Sequence, residues 1–153
     1  MPYHSSLNEL IKLIKAGDVQ GIQRLPGLTA AAKATDQYGC TALHVAARQG
    51  KDSITTELLR AGVNLNAVDN EGATPLYVAV RFRKASTVQL LLAAGANPCK
   101  PCGRLKTTPL YEAATHEDVS ILTLLIAALQ KARVGLNTPN SIGYTALHGA
   151  AFF

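Results

Sequence analysis

A chain of 153 residues with 48% hydrophobic content has room for one folded domain, and that composition excludes extended disorder. Aromatics make up only 5% with no Trp, while Ala and Leu are abundant, so close helix-on-helix packing is favoured over a β-sandwich core. The formal charge of +5 biases the chain toward acidic partners without naming one, and its three cysteines, Cys40, Cys99 and Cys102, cannot all pair, so reduced thiols and a cytoplasmic or nuclear setting are expected.

From the N-terminus, Met1 is followed by Pro-Tyr-His-Ser-Ser and then an amphipathic, Lys-containing stretch, with no unbroken apolar region of the kind a secretory leader needs. The most apolar run, Ile121 to Leu129, is far short of the ~20 residues that cross a bilayer. A soluble protein without a membrane role is therefore expected.

Farther along, a nine-residue pattern recurs. Gly39-Cys40-Thr41-Ala42-Leu43-His44-Val45-Ala46-Ala47 returns as Gly72-Ala73-Thr74-Pro75-Leu76-Tyr77-Val78-Ala79-Val80, and Leu43 to Leu76 is 33 residues. Thr108-Pro109-Leu110-Tyr111-Glu112-Ala113-Ala114 is a third copy and Gly143-Tyr144-Thr145-Ala146-Leu147-His148-Gly149-Ala150-Ala151 a fourth. In each, Thr can cap a helix, Pro or Ala suits its first turn, and Leu followed by Ala three and four residues on makes one packing face. About a dozen residues later come Ile54, Leu58 and Leu59, then Val88, Leu91 and Leu92, then Ile121, Leu122, Leu124 and Leu125, each predicting a second helix. Gly62 and Gly95 follow two of these as helix stops. The polar stretches from Val63 to Gly72 and from Ala96 to Thr107 read as projecting turns. One such helix pair cannot bury both faces, so stacking must supply the core.

The period and these residues resemble the ankyrin repeat, with its Thr-Pro-Leu-His helix start, Gly-Ala helix end and hairpin finger containing Asp and Gly. The resemblance covers Asp36 to Phe153 directly and Leu7 to Leu25 through Lys15-Ala16-Gly17-Asp18-Val19, which is similar to the inter-helix turn of a first, capping repeat. It implies an all-α solenoid of stacked helix-turn-helix units with hairpin fingers. The single domain divides into a capping repeat over 1–35, full repeats over 36–68, 69–102 and 103–139, and the start of a further repeat over 140–153.

The chain departs from the pattern at three places. Leu76 to Leu110 is 34 residues, and the finger there has Lys106 where the turn Gly belongs, so a distinct finger shape is expected. Leu110 to Leu147 is 37, and the added residues around Leu129 to Val134 predict a longer outer helix, since one turn nearly preserves the packing phase. The fourth copy reaches only Phe153, inside its inner helix, which is read as a piece of a longer protein; the alternative has Phe152 and Phe153 tucking back or pairing with another molecule.

Catalytic chemistry finds no support. Cys99-x-x-Cys102 has metal-ligand spacing but no second pair to complete a zinc site, and ordinary finger cysteines are the preferred reading. His44 and His148 occupy the motif position at which the family hydrogen-bonds neighbouring loops, with Tyr77 and Tyr111 in the middle copies. No phosphate loop, paired carboxylates or nucleophile triad is visible, so no enzyme activity, cofactor or metal is expected. Nucleic-acid binding would rest on charge alone and is not expected.

From Gly72 to Tyr111 there is no Asp or Glu, yet Arg81, Arg83, Lys84, Lys100, Arg104 and Lys106 lie there, which reads as a basic belt. The resemblance further implies which positions face the concave side. These are Gln37, Tyr38, Cys40, Arg48 and Gln49; Asn70, Glu71, Ala73, Arg81 and Phe82; Arg104, Leu105, Thr107, Thr115 and His116; and Ser141, Ile142, Tyr144, Phe152 and Phe153. Tyr38, Arg48, Arg81, Phe82, Arg104, Leu105 and Tyr144 are the expected partner-binding residues, because Arg and aromatic side chains dominate protein interfaces. The expected function is non-catalytic recognition of a protein partner with an acidic, partly apolar segment, on a concave and partly basic face. The alternative is the substrate-recognition part of a larger protein, such as a ubiquitin-ligase receptor or an effector delivered to a host cytosol.

Overall fold

The computed structural model describes residues 3–151. The described residues form α1 (Tyr3–Ala16), α2 (Val19–Arg24), α3 (Leu28–Lys33), α4 (Ala42–Gln49), α5 (Asp52–Arg60), α6 (Pro75–Arg81), α7 (Ala85–Ala93), α8 (Pro109–Thr115), α9 (Val119–Lys131) and α10 (Ala146–Ala151). Among them the only extended pairing is two isolated antiparallel bridges, Thr35 with Thr41 and Cys102 with Thr107. The helices stack in two layers. Inner helices α1, α4, α6, α8 and α10 pack in succession, outer helices α2, α5, α7 and α9 do the same, and each inner helix from α1 to α8 packs on the outer helix that follows it.

The recurring residues make these elements for identifiable reasons. Thr74 and Thr108 accept hydrogen bonds from the backbone N–H of Tyr77 and Tyr111, each at 3.2 Å, and Pro75 and Pro109 occupy the first turn, where a missing N–H costs nothing. Leu43 and Leu76 are fully buried and Leu110 nearly so, with the small Ala46, Ala47, Ala79, Ala113 and Ala114 beside them letting neighbouring backbones approach. Each inner helix from α1 to α8 is followed by a left-handed residue that turns the chain into the outer helix. Gly17 and Gly50 hold that place first, then Arg83 and Glu117 at φ 55° and 53°. Outer helices then bury Ile54 and Leu58, Val88 and Leu91, and Ile121 and Leu125.

The longer outer helix is present: α9 has 13 residues against 9 in α5 and in α7, running through Leu129 to Lys131. One element has no counterpart in the sequence reading. The six-residue α3 packs against both α1 and α4, burying Ala31 and Ala32. Phe152 and Phe153 lie outside the described residues.

Between helix pairs the chain forms fingers built on one device. Asp36 Oδ1 accepts from Tyr38 N and Cys40 N, Asp69 Oδ1 from Glu71 N and Ala73 N, and Asn140 Oδ1 from Ile142 N and Tyr144 N, all at 2.8–3.1 Å. The third finger has its own shape. It places buried Cys102 where the others have Asp or Asn, closes Cys102 N on Thr107 O at 2.8 Å across one additional residue, and holds Lys106 left-handed at φ 53°. That added residue accounts for the 34-residue spacing.

Neighbouring fingers are tied by main-chain hydrogen bonds: Asn70 N donates to Tyr38 O at 3.0 Å, Gly103 N to Glu71 O at 2.9 Å, and Ser141 N to Leu105 O at 2.8 Å. His44 adds a side-chain tie. Its Nδ1 accepts from Thr41 N at 3.1 Å, which leaves the proton on Nε2 to be donated to Ala73 O at 3.0 Å. Burial holds its pKa below the usual 6.5, because desolvation of the charged ring outweighs the hydrogen bond to Ala73 O and the nearby Asp69 and Asp36, which favour the cation. Its contribution to stability is therefore complete above about pH 6.5 and is lost as pH falls through the lowered folded-state value. Urea unfolding between pH 7.5 and 5 is expected to show a steeper loss for the native chain than for His44→Gln, with the difference bounded by about 1.4 kcal/mol per pH unit. Parallel losses in the two proteins would remove His44 from the account.

Candidate functional site

The inner helices and fingers of the first three helix pairs enclose an open groove of about 1630 Å³. Its walls come from α1, the first two fingers, α4 and α6. All ten concave positions from Gln37 to Phe82 named above line it, Tyr38, Arg48, Arg81 and Phe82 among them. Tyr38 is 64% exposed at a finger tip and Phe82 40% exposed just past the end of α6. The Arg48 guanidinium stacks 4.7 Å from the centre of the Phe82 ring, joining the ends of two successive inner helices.

Arg81 faces an acid. Its Nε lies 3.9 Å from Glu112 Oε1, and Glu112 also takes a 2.8 Å hydrogen bond from the Tyr77 hydroxyl on Oε2 and sits 3.3 Å from His116 Nε2. Arg83 lies 3.6 Å from Asp118 Oδ2. The acid-free segment is therefore not a continuous basic belt in space. The next repeat folds Glu112 and Asp118 back against two of its arginines, and Asp36, Asp69 and Glu71 also line the groove. Both ion pairs are partly solvated and stabilise the fold by no more than about 1 kcal/mol each. Burial raises the pKa of Tyr77, whose hydroxyl is shared between Thr107 Oγ1 at 2.9 Å and Glu112, so Tyr77 couples adjacent repeats as a neutral donor.

The other expected residues lie elsewhere. Arg104 and Leu105 form the tip of the third finger, where Leu105 is 48% exposed and the two carbonyls accept from Ser141 Oγ and Ser141 N. Tyr144 is half-buried at the base of the fourth finger, its ring stacked on His148 at 5.3 Å. Neither group lines the groove. The sequence reading in turn missed Asn8, Ile11 and Lys15 of α1, which do line it. The available signal was register, since Lys15 precedes Gly17 as Arg48 precedes Gly50.

The cysteines are not poised for nucleophilic chemistry. Burial pushes Cys40 and Cys102 up to about 11 and raises Cys99, and the Cys102 thiol points at Glu71 O at 3.9 Å. Among the described residues no group of three or more His, Cys, Asp or Glu is placed to hold a metal ion, and no helix is long and apolar enough to cross a membrane.

A family model described as ankyrin repeats, in three copies, matches residues 7–102. No curated protein matches the chain.

Proposed function

The chain belongs to the ankyrin-repeat family, and from that premise we propose that it binds a protein partner in the groove over α1, α4 and α6, with the Arg48–Phe82 stack as its centre. Ankyrin repeats are generally protein–protein interaction modules, and the family is generally non-catalytic. The observation that carries the reading is the gathering of Tyr38, Arg48, Arg81 and Phe82 along one open groove. Arg and aromatic side chains on a rigid stack lose little conformational freedom on binding and offer both apolar contact and charge. The partner contributes an acidic, partly apolar segment. Arg104 and Leu105 on the third finger extend the contact beyond the groove, and Tyr144 lies at its far end. The setting we propose is the cytoplasm or nucleus, on the ground that three cysteines cannot all pair.

Affinity capture with the native chain and with an Arg81→Glu, Phe82→Ala, Arg104→Glu variant tests this. A specific partner of the native chain should be lost by the variant, while Arg104→Glu alone weakens capture only partly. Circular dichroism first confirms that all three proteins remain helical. Equal capture by the native chain and the triple variant would move the binding site off the groove.

A further inference from the structure

The groove carries opposite charges on its two long edges. Lys15, Arg48 and Arg81 each stand two residues before the left-handed residue that ends an inner helix, Gly17, Gly50 and Arg83 respectively. They therefore share one register position in three stacked helices, all three are exposed, and all three line the groove. Adjacent packed helices lie about 8–10 Å apart, so the cations form a row with that step along the edge where inner helices turn outward. The opposite edge, where the fingers enter the inner helices, carries Asp36, Asp69 and Glu71. Asp36 and Asp69 each accept two finger amides on Oδ1, and accepting N–H groups leaves the negative charge in place. Inner helix α4 separates the edges by its eight residues, roughly 12 Å, and Val45 and Val78 lie half-buried between them.

We propose that this groove selects a peptide segment by charge on both edges at once, with carboxylates spaced about 9 Å apart set against Lys15, Arg48 and Arg81, basic groups set against Asp36, Asp69 and Glu71, and an apolar edge facing the floor. The inference rests on the protein-binding reading above and deepens it. A polyproline II segment meets the requirement directly: with three residues per turn and about 3.1 Å rise, each third residue falls on one edge and repeats every ~9 Å. The recognised pattern is thus acidic, apolar and basic residues in a three-residue cycle, in either direction. The cation row stops at Arg81, because the next register position is Thr115 and Glu112 already faces Arg81, so three acidic positions are read. A polyanion such as nucleic acid fits poorly, since its phosphates would be repelled along the acidic edge.

The probe is a displayed library of random peptides about 12 residues long, enough to span two repeat steps at ~3 Å per residue. It is selected on the full chain and, in parallel, on a Lys15→Glu, Arg48→Glu variant; both positions are exposed, and retained helicity is checked first. Peptides enriched on the native chain should carry acidic residues at every third position with basic residues between them, and should bind the variant about tenfold more weakly. The variant should enrich peptides with basic residues at the former acidic positions. Failure to enrich any peptide, enrichment without a three-residue charge cycle, or displacement of the selected peptide by a short heparin fragment at physiological salt would overturn the proposal. If the Arg81, Phe82, Arg104 variant loses its cellular partner while the library shows no charge cycle, the protein-binding reading stands and this inference alone falls.

Discussion

Leu76→Ala is expected to lower the stability of the stack by about 3 kcal/mol, a large share of the 5–15 kcal/mol that holds a domain of this size together. Leu76 is fully buried in α6, which packs on α4, α7 and α8 at once, so truncation opens a void where two successive helix pairs meet. In a stack where each pair touches only its neighbours, a defect at that place separates the two ends, and unfolding should also become less cooperative. Urea titration followed by circular dichroism measures both effects. Leu147 occupies the same motif position in the fourth copy but is 77% exposed, so Leu147→Ala should change stability by about 0.5 kcal/mol or less. Equal losses from the two substitutions would mean that the motif leucine is not what joins the repeats.

The second large effect is expected at a finger. Gly39 sits at φ 76°, and a Cβ there would stand 2.6 Å from Asn70 Oδ1 and 2.9 Å from the Asn70 backbone N, the group that donates to Tyr38 O. The side-chain oxygen can move aside, but the main-chain nitrogen cannot do so without breaking the tie between the first two fingers. Gly39→Ala should therefore cost about 3 kcal/mol, combining left-handed strain of 1–2 kcal/mol with overpacking of similar size. Gly72 has nearly the same backbone at φ 83°, but an added Cβ there meets nothing within 4 Å. Gly72→Ala isolates the strain and should cost only about 1–2 kcal/mol. Because both fingers wall the groove, Gly39→Ala should also weaken partner binding at temperatures where the chain is still folded. Identical stability losses for the two variants would show that finger contact adds nothing to strain.

The architecture was legible because each repeat writes its core twice, as Thr-x-Leu followed by Ala and then as a leucine-rich stripe, and a 33-residue period needs no knowledge of tertiary contacts. The added turn in α9 was legible for the same reason, since a change in spacing is visible wherever the pattern resumes. Helix α3 was not. Leu28–Lys33 is a short Ala-rich run without a stripe, and it is held in place by α1 and α4 rather than by its own periodicity. At the groove, the ankyrin resemblance implied that Tyr38, Arg48, Arg81 and Phe82 face one surface, and all four line the groove, whereas the period by itself relates only Arg48 to Arg81. The charge reading was incomplete for a related reason. Glu112 stands immediately beyond the acid-free segment, and in a stack the next repeat lies directly against its predecessor, so acids outside the segment come within ion-pair distance of two exposed arginines within it. The coupling of Tyr77 to Glu112 spans 35 residues and was equally hidden, although both belong to the same motif in successive copies.

The place where the chain lengthens has a consequence for how such a protein can change over generations. The four residues that separate the last two motif copies beyond the regular period enter the outer layer, where α9 simply runs on for about one more turn while α8 keeps the seven residues of α6. Growth by whole turns on that side adds mass to the outer layer and leaves the inner helices and fingers in register. Mutation can therefore explore new outer surfaces without disturbing the groove. The same property makes the end of α9 a natural graft point for a rigid helical handle or a reporter, carried at a fixed angle to the groove and outside it.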